Sequence, residues 1–113
     1  MSAVVTKRIL GQLAPGAGQE DLIYEAPLGG WAEWHSLTMC NRSGSDESVS
    51  VRVSPCGVNL ADVHYLYAAL VIKAHDQGSA EHDIELGPGD RVHVKSSGGG
   101  VSFSLFGREV LEA

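Results

Sequence analysis

The five histidines of this sequence are the first candidates for holding a metal ion. His82 and His93 lie on either side of a Gly-Pro-Gly-Asp turn at residues 87–90, with His75 and Asp83 nearby. A zinc or iron site needs three or four ligands that converge on one point. His82 falls on the apolar side of its alternating segment and His93 on the polar side, so in a paired sheet the rings would face opposite ways. We therefore predict scattered histidines, with no metal site and no cofactor.

The two cysteines, Cys40 and Cys56, are the candidate nucleophiles. A reactive thiolate needs a helix N-terminus or a cation beside it, and Arg42 and His35 are the only candidates close to Cys40 in sequence. We expect Cys40 to pack as a small apolar residue at the end of a strand. If the following turn is centred near residues 44–45, Cys56 does not lie opposite Cys40. A bridge within one chain then requires a different strand register.

Two further motifs resemble reactive sites but have simpler interpretations. The glycine run at residues 98–100 looks like a phosphate-binding loop, yet such loops connect a strand to a helix and continue into Lys-Ser or Lys-Thr. Strands are expected on both sides of this run, so we predict a hairpin loop. Glu81, Asp83 and Glu85 alternate along one strand face, which is the pattern of a solvated face rather than of carboxylates paired in a cleft. We predict no catalytic residues, and we expect that the protein is not an enzyme.

Aromatic and basic residues are the candidates for binding a partner. Trp31 and Trp34 follow the Gly-Gly pair at residues 29–30. These rings could stack on a sugar, anchor a subunit interface or fill the core, and the sequence leaves all three open. Lys7 and Arg8 lie in an N-terminal segment with few core residues, where they could contact a neighbouring subunit. These four residues form our candidate partner-binding set.

Composition limits the class of protein and the class of partner. The chain has 113 residues, a formal charge of −6 and 43% hydrophobic residues. This length suits one domain that buries roughly 65% of its unfolded surface. The acidic balance argues against nucleic acid and against an anionic membrane as partners, because both select basic surfaces. No apolar run approaches the ~18 residues of a membrane span, and the N-terminus lacks the order of a signal peptide, so we expect synthesis in a cytosol.

Alternation of apolar and polar residues predicts the strands. Residues 34–53 predict a long hairpin with a polar tip. Residues 64–73 are ambiguous between helix and strand, and their aromatic and β-branched content favours a strand after a short helical turn near residues 60–63. Further strands are predicted at residues 4–10, 21–25, 80–86, 91–95 and 101–105. The sequence thus predicts an all-β fold, an antiparallel two-sheet β-sandwich of seven or eight strands, with jelly-roll or immunoglobulin-like connectivity left open.

The chain shows no linker that would divide it into several domains. A stretch rich in Gly, Ala and Pro lies between Leu10 and Gly18. We expect residues 1–18 to form an N-terminal arm or edge strand and residues 19–113 to form a single β-sandwich domain. The arm could become ordered on a neighbouring subunit by adding a strand to its sheet.

Several short strings follow one another in a defined order along the chain. They are residues 36–44 (SLTMCNRSG), 49–53 (VSVRV), 60–66 (LADVHYL), 86–92 (LGPGDRV), 101–103 (VSF) and 106–109 (FGRE). In this order and spacing, with Tyr24, Pro27 and Gly29 upstream, they resemble small structural proteins of tailed bacteriophage particles. The resemblance covers about residues 20–110. It implies a β-sandwich accessory protein of the virion, attached to the capsid, the neck or collar, or the tail.

The resemblance implies a function in assembly and supplies no catalytic residues. The expected partners are other copies of the chain, with a trimer favoured, and other virion proteins. Cys56 and the histidine-rich stretch at residues 75–82 depart from the pattern, which leaves open particle-specific contacts or an inter-subunit disulfide. Two alternatives are a carbohydrate-binding sandwich that uses Trp31 and Trp34 side by side, and a cupin-like metalloenzyme.

Overall fold

The computed structural model describes residues 3–112, which form eight strands and one short 3-10 turn. The strands are β1 (Ala3–Leu13), β2 (Glu20–Glu25), β3 (Gly30–Asn41), β4 (Glu47–Ser54), β5 (Tyr65–Ile72), β6 (Gln77–Leu86), β7 (Arg91–Ser96) and β8 (Val101–Glu112). The 3-10 turn, Asp62–His64, leads directly into β5. The predicted all-β class is confirmed, and the ambiguous segment is a strand that follows a short helical turn.

Two antiparallel four-stranded sheets make up the sandwich. Sheet A has the strand order β1-β8-β3-β6, and sheet B has the order β2-β7-β4-β5. β4 and β5 are consecutive and lie in the same sheet, whereas each other pair of consecutive strands crosses from one sheet to the other. Eight strands wound in this way between two sheets form a jelly roll. The choice that the sequence left open is therefore resolved in favour of the jelly roll over the immunoglobulin-like arrangement.

The core lies between the two sheets and follows the period-2 pattern of the strands. In β3, β4 and β8 buried side chains alternate with partly exposed ones. The largest fully buried side chains are Trp34, Leu37, Met39, Val49, Val51, Leu86, Val92, Val94, Val101, Phe103 and Leu105. Because these residues come from both sheets, each sheet needs the other to bury its apolar face.

The predicted hairpin over residues 34–53 is wrong. β3 belongs to sheet A and β4 to sheet B, and the two strands do not pair. Alternation identifies the side chains that face the core, but it does not distinguish neighbours in one sheet from strands that face each other across the core. The glycine loop at residues 98–100 was predicted to be a hairpin loop for the same reason. It crosses from β7 in sheet B to β8 in sheet A.

Asn41 organises the crossing from β3 to β4. This side chain is 1% exposed. Its Nδ2 donates to the carbonyl oxygens of Ser45 at 2.8 Å, Ile72 at 3.0 Å and Lys73 at 3.2 Å. Its Oδ1 accepts hydrogen bonds from the backbone amide of Ser43 at 2.9 Å and from the Ser43 hydroxyl at 2.8 Å. Because this buried amide is fully satisfied, it ties the polar turn to the end of β5.

The N-terminal strand β1 lies at one edge of sheet A, next to β8. Within the described chain, β6 forms the other edge of sheet A, and β2 and β5 form the edges of sheet B. Residues 1, 2 and 113, which belong to the predicted N-terminal arm and sandwich domain, lie outside the described residues. The division of the chain between residues 18 and 19 stays a prediction.

Candidate functional site

A shallow groove of about 500 Å³ lies on the outer face of sheet A. It is lined by Lys7, Arg8 and Ile9 of β1, His35 of β3, and Phe106 and Gly107 of β8. The strand register shifts on both sides of Phe106, between Ile9 and Gly11 in β1 and between Trp34 and Ser36 in β3. Each shift inserts an extra residue, and such bulges bend a strand and redirect its side chains. We attribute the shape of the groove to these two bulges.

Gly107 brings β8 close to β3 at the floor of the groove. A Cβ atom on Gly107 would lie 1.9 Å from the carbonyl oxygen of Glu33 and 3.0 Å from Cδ1 of Leu10. The first distance is a steric clash with backbone, so a residue larger than glycine cannot be placed here without moving a strand. The position of the groove is thus fixed by the packing of the sheet itself.

Charged residues form a row across the outer face beside the groove. Lys7 of β1 is opposite Arg108 of β8, and Arg108 is opposite Glu33 of β3. Arg108 donates to both carboxylate oxygens of Glu33, from Nε at 2.9 Å and from Nη2 at 2.6 Å. This guanidinium holds the pKa of Glu33 below its usual range. Arg108 is therefore engaged within the chain, whereas Lys7 makes no ion pair with any described residue.

The side chain of Arg8 is 51% exposed, and its Nη1 lies 3.5 Å from Oε1 of Glu109. The long distance and the exposure make this a weak surface pair. Arg8 can therefore turn toward a partner at little cost. Lys7 therefore supplies the positive charge on the β1 side of the groove, and Arg8 adds charge at the edge of the sheet beside it.

The two tryptophans of the candidate partner-binding set lie in different places. Trp34 is 0% exposed. Its Nε1 donates to the carbonyl oxygen of Ala80 at 3.1 Å, and its ring meets the His82 ring edge-on with 5.9 Å between centroids. Its selection as a partner-binding residue is corrected: Trp34 is a core residue. The carbohydrate-binding alternative needed both rings exposed side by side and is contradicted by this burial.

The separation of the tryptophans was readable from their spacing. Successive strand side chains point to opposite faces, so residues 31 and 34, three positions apart, cannot share a face of a regular strand. Trp31 lies on the outer face of sheet A, half-buried, opposite Val110 of β8. Val110 is in turn opposite Val5 of β1, which is 53% exposed. Trp31 and Val5 therefore add apolar surface to the row next to Lys7.

The outer face of sheet A thus combines two kinds of surface, and we name it the A-face patch. It consists of Val5, Lys7, Ile9, Trp31 and Phe106. Of the candidate partner-binding residues, the structure brings Lys7 and Trp31 together here, whereas the Arg8 side chain lies on the other side of β1, next to Glu109. Ile9 is 46% exposed and lies opposite Phe106; sequence reasoning missed both residues because no marker showed that β1 and β8 are neighbours.

Solved structures from one virus share this fold. They include infectious bursal disease virus of the Gx strain (TM-score 0.57, 12% identity), the Gt strain (0.57, 10%) and the T13 IBDV viral particle (0.56, 10%). The likeness covers 96% of this chain in each case, but only 31%, 31% and 30% of those chains. This chain therefore spans about a third of their length. At such low identity the likeness shows the jelly-roll fold alone. No protein-family model and no curated protein matches the chain.

The glycine loop at residues 98–100 directs its amides at a carboxylate of the protein itself. Glu47, which is 5% exposed, accepts hydrogen bonds from the amides of Gly98 at 3.1 Å and Gly100 at 3.0 Å. The groups that a phosphate would need are thus already used. Glu47 shares the strand face of Val49 and Val51, so an acidic residue at a core position was the signal in the sequence for this interaction.

The histidines and cysteines are spread over the molecule. His82 lies in sheet A, where its Nε2 shares a 2.6 Å hydrogen bond with the hydroxyl of Tyr67 in sheet B. His93 lies in sheet B, so the two histidine-bearing strands do not pair. Within residues 3–112, no group of three or more His, Cys, Asp or Glu side chains could hold a metal ion. Cys40 and Cys56 are free and exposed, so the expected packing of Cys40 is wrong.

Other close polar contacts tie strands together. In sheet B, Arg52 donates from Nε to Oε2 of Glu20 at 2.7 Å and lies over the Tyr65 ring, 4.9 Å from its centroid. The guanidinium lowers the pKa of Glu20. Between the sheets, the Tyr24 hydroxyl donates to Oε2 of Glu109 at 2.5 Å.

Within the described residues, no helix is long and apolar enough to cross a membrane.

Proposed function

We propose that this chain is a non-enzymatic structural protein of a virus particle and that it acts by binding other proteins of the particle. The observation that supports this most is the A-face patch, where exposed apolar side chains adjoin Lys7, a basic residue that makes no ion pair with any described residue. Apolar surface beside polar or charged groups is typical of protein–protein interfaces. The jelly-roll likeness to structures of a virus particle supports the same kind of role by analogy.

More finely, we propose an accessory protein of a tailed bacteriophage, attached to the capsid, the neck or collar, or the tail. The ordered strings between residues 20 and 110 support this source. We also propose that the chain forms a homo-oligomer, with a trimer favoured. A contact between two different surfaces of the same chain closes into a ring when its rotation permits, and repetition in a particle multiplies contacts that are individually modest.

The chemistry of the A-face patch suggests how the contact forms. Trp31, Ile9 and Phe106 would supply the apolar area that is removed from water, and large aromatic residues contribute strongly at the centre of interfaces. Lys7, with Arg8 at the edge of the sheet beside it, would meet acidic groups at the rim. A partner as acidic as this chain, with its net charge of −6, would be attracted to this basic rim.

Charge reversal at β1 tests the proposal in particles assembled with the variant chain. Lys7→Glu combined with Arg8→Glu should lower the number of copies per particle by about 10-fold or more, because repulsion replaces attraction at the rim. Quantitative mass spectrometry of purified particles measures the copy number. The control is Arg42→Glu combined with Lys73→Glu, which changes the net charge equally at exposed positions away from the patch. Equal copy numbers for the two variants and the unchanged chain would contradict the proposal.

A further inference from the structure

Within residues 3–112, three of the four edge strands carry charged residues. These are Lys7 and Arg8 in β1, Glu20, Asp21 and Glu25 in β2, and Glu81, Asp83 and Glu85 in β6. The fourth edge strand, β5, has the sequence YLYAALVI and carries none. Charged side chains on an edge strand disfavour the addition of a strand from another molecule. β5 is the edge that lacks this protection.

β5 also exposes apolar side chains along its length. Leu66 is 40% exposed, Leu70 is 37% exposed and Val71 is 56% exposed. Ala68 and Ala69 between them are exposed as well. β4 pairs with β5 on one side, and within the described residues no strand pairs with its other side. An uncharged apolar edge of this length is a typical site of strand addition.

We propose that β5 pairs with β5 of a second copy of this chain, antiparallel about a twofold axis, so that the two B sheets become one continuous sheet. The distribution of charge favours self-pairing at β5 over self-pairing at the other three edge strands. Self-pairing of β1 would place basic residues beside basic residues, and self-pairing of β2 or β6 would place acidic beside acidic. Only at β5 does a twofold contact bring no like charges together. This inference does not depend on the proposed role in a particle.

A kink in the middle of β5 fits such a twofold contact. Ala69 has a φ of 59°, in the left-handed region that is unusual for alanine. Its amide donates to Oγ of Ser50 in β4 at 3.2 Å, so the kink is held from inside the sheet. It divides β5 into two short runs, residues 65–67 and residues 70–72, and the first run has a further shift of register against β4 at Leu66. An axis at the kink would pair the first run of one copy with the second run of the other.

The side chains on the two runs match each other across that axis. With the axis between Ala68 and Ala69, Leu66 of one copy lies beside Val71 of the other, and Tyr67 lies beside Leu70. Each pair joins two apolar residues, and such cross-strand pairs stabilise a sheet. The small alanines at the centre permit close approach of the two backbones. The exposed apolar area of β5 would therefore be covered by its own counterpart.

A double charge substitution in β5 tests the pairing. Leu66→Lys combined with Val71→Lys places four positive charges along the joined edges and should raise the dissociation constant roughly 100-fold or more. Sedimentation velocity at tens of micromolar then gives the mass. We expect the unchanged chain to have an even number of copies, two or, if the proposed trimer also forms, six, and this variant to have half that mass. The control, Leu28→Lys combined with Val63→Lys, adds the same charges at sites that are 74% and 84% exposed and should keep the full mass.

Two results would overturn the pairing. One is a monomeric unchanged chain at 100 µM, and the other is a β5 variant with the same mass as the unchanged chain. Thermal melts of all variants show whether each remains folded, which is expected because the substituted side chains are exposed. Because mass is measured without any particle, a failure here leaves the proposed role in a particle unaffected.

A disulfide measurement checks the position of the axis. In a background with Cys40→Ser and Cys56→Ser, Ala68→Cys should form a disulfide-linked dimer under mild oxidation, because Ala68 lies opposite Ala69 of the other copy and only one position from its own copy. Val63→Cys, which precedes β5, should remain a monomer on a non-reducing gel. Equal cross-linking of the two variants would contradict the twofold contact at Ala68 and Ala69.

Discussion

The two sides of the sandwich are built alike, but their edge strands differ in the charges that protect them against the addition of another strand. On one side, where β1 and β2 form the edges, the Tyr24 hydroxyl of sheet B is bonded to Glu109 of sheet A. On the other side, where β5 and β6 form the edges, the Tyr67 hydroxyl of sheet B is bonded to His82 of sheet A. Each side therefore has a tyrosine that links the sheets. The edges differ in charge, since β5 has none.

This difference separates two tasks of the strand edges. Ties such as the tyrosine bonds hold the two sheets together and should contribute to the stability of one chain. Charges along the edges contribute little to that stability, but they determine which strand can be added from outside. Substitution of a tie should therefore change the free energy of unfolding, and substitution of an edge residue should change the oligomeric state. The following measurements sharpen this separation, from the largest expected effect to the smallest.

Loss of Trp34 should give the largest change. Trp34→Ala removes a ring that is 0% exposed and packs against β6, together with its hydrogen bond to Ala80. The free energy of unfolding should fall by about 3–5 kcal/mol, as measured by urea denaturation. The matched control is Trp31→Ala on the outer face, where the ring is half-buried and the loss should be about 1 kcal/mol. Similar losses for the two tryptophans would show that the assignment of core and surface is wrong.

Loss of Asn41 should give the next largest change, on the β5 side. Asn41→Ala leaves the carbonyls of Ile72 and Lys73 without their buried donor, so the free energy of unfolding should fall by about 2–3 kcal/mol. Amide hydrogen exchange should become faster in the residues that follow β5. Exchange rates in the rest of the chain should be unchanged. Ser43→Ala, which removes one partner of the Asn41 side chain, should cost less, about 1 kcal/mol. An Asn41→Ala chain as stable as the unchanged one would contradict the role of this side chain.

High pH should weaken the tie on the β1 and β2 side. Burial, followed by the hydrogen bond to the Glu109 carboxylate, raises the pKa of Tyr24 above its usual value. Above about pH 10 the unfolded chain releases this proton while the folded chain keeps it. The stability contributed by neutral Tyr24 is thus complete below that pH and is lost as pH rises toward the folded pKa.

The matched variant for this measurement is Tyr24→Phe. At pH 8 the unchanged chain should be more stable than Tyr24→Phe, because it has the bond to Glu109. By pH 11 this advantage should shrink, as followed by urea denaturation at each pH. Effects of pH on the rest of the chain are common to both variants and cancel in the difference. An advantage that stays constant between pH 8 and pH 11 would exclude this role for Tyr24.

The strands and their buried faces were predictable from sequence, because alternation reports directly on which side chains face the core. β5 was recognised against a competing helical pattern by its tyrosines and β-branched residues. The assignment of strands to sheets was not predictable in the same way. The polar stretch after β3 has the composition of a hairpin turn. In the structure this stretch crosses from sheet A to sheet B, and the buried Asn41 side chain holds it in place.

The candidate site was predictable only in part. Lys7, Arg8 and Trp31 were selected from residue type, and the structure places Lys7 and Trp31 on the outer face of sheet A but Arg8 on the other side of β1. The groove beside them depends on bulges in β1 and β3 that shift the register around Phe106. Gly11 within β1 is a sequence signal for the first bulge, whereas nothing in the local sequence marks the second, at His35. The burial of Trp34 could have been predicted from its odd separation from Trp31. The uncharged edge of β5 is visible in the sequence, but its importance depends on the strand order.

The place of β8 in sheet A has a consequence for synthesis. β8 is made after the other described strands, yet it lies between β1 and β3, where Ala3 is opposite Glu112. While the ribosome is still translating the middle of the chain, β1 has no neighbour to pair with. β3 can pair with β6 once β6 has been made, but its other neighbour, β8, is still missing. In the nascent domain, β1 can therefore pair within its sheet only after β8 has been made. Contacts this distant in sequence form slowly, so the emerging polypeptide passes through a period with an incomplete sheet.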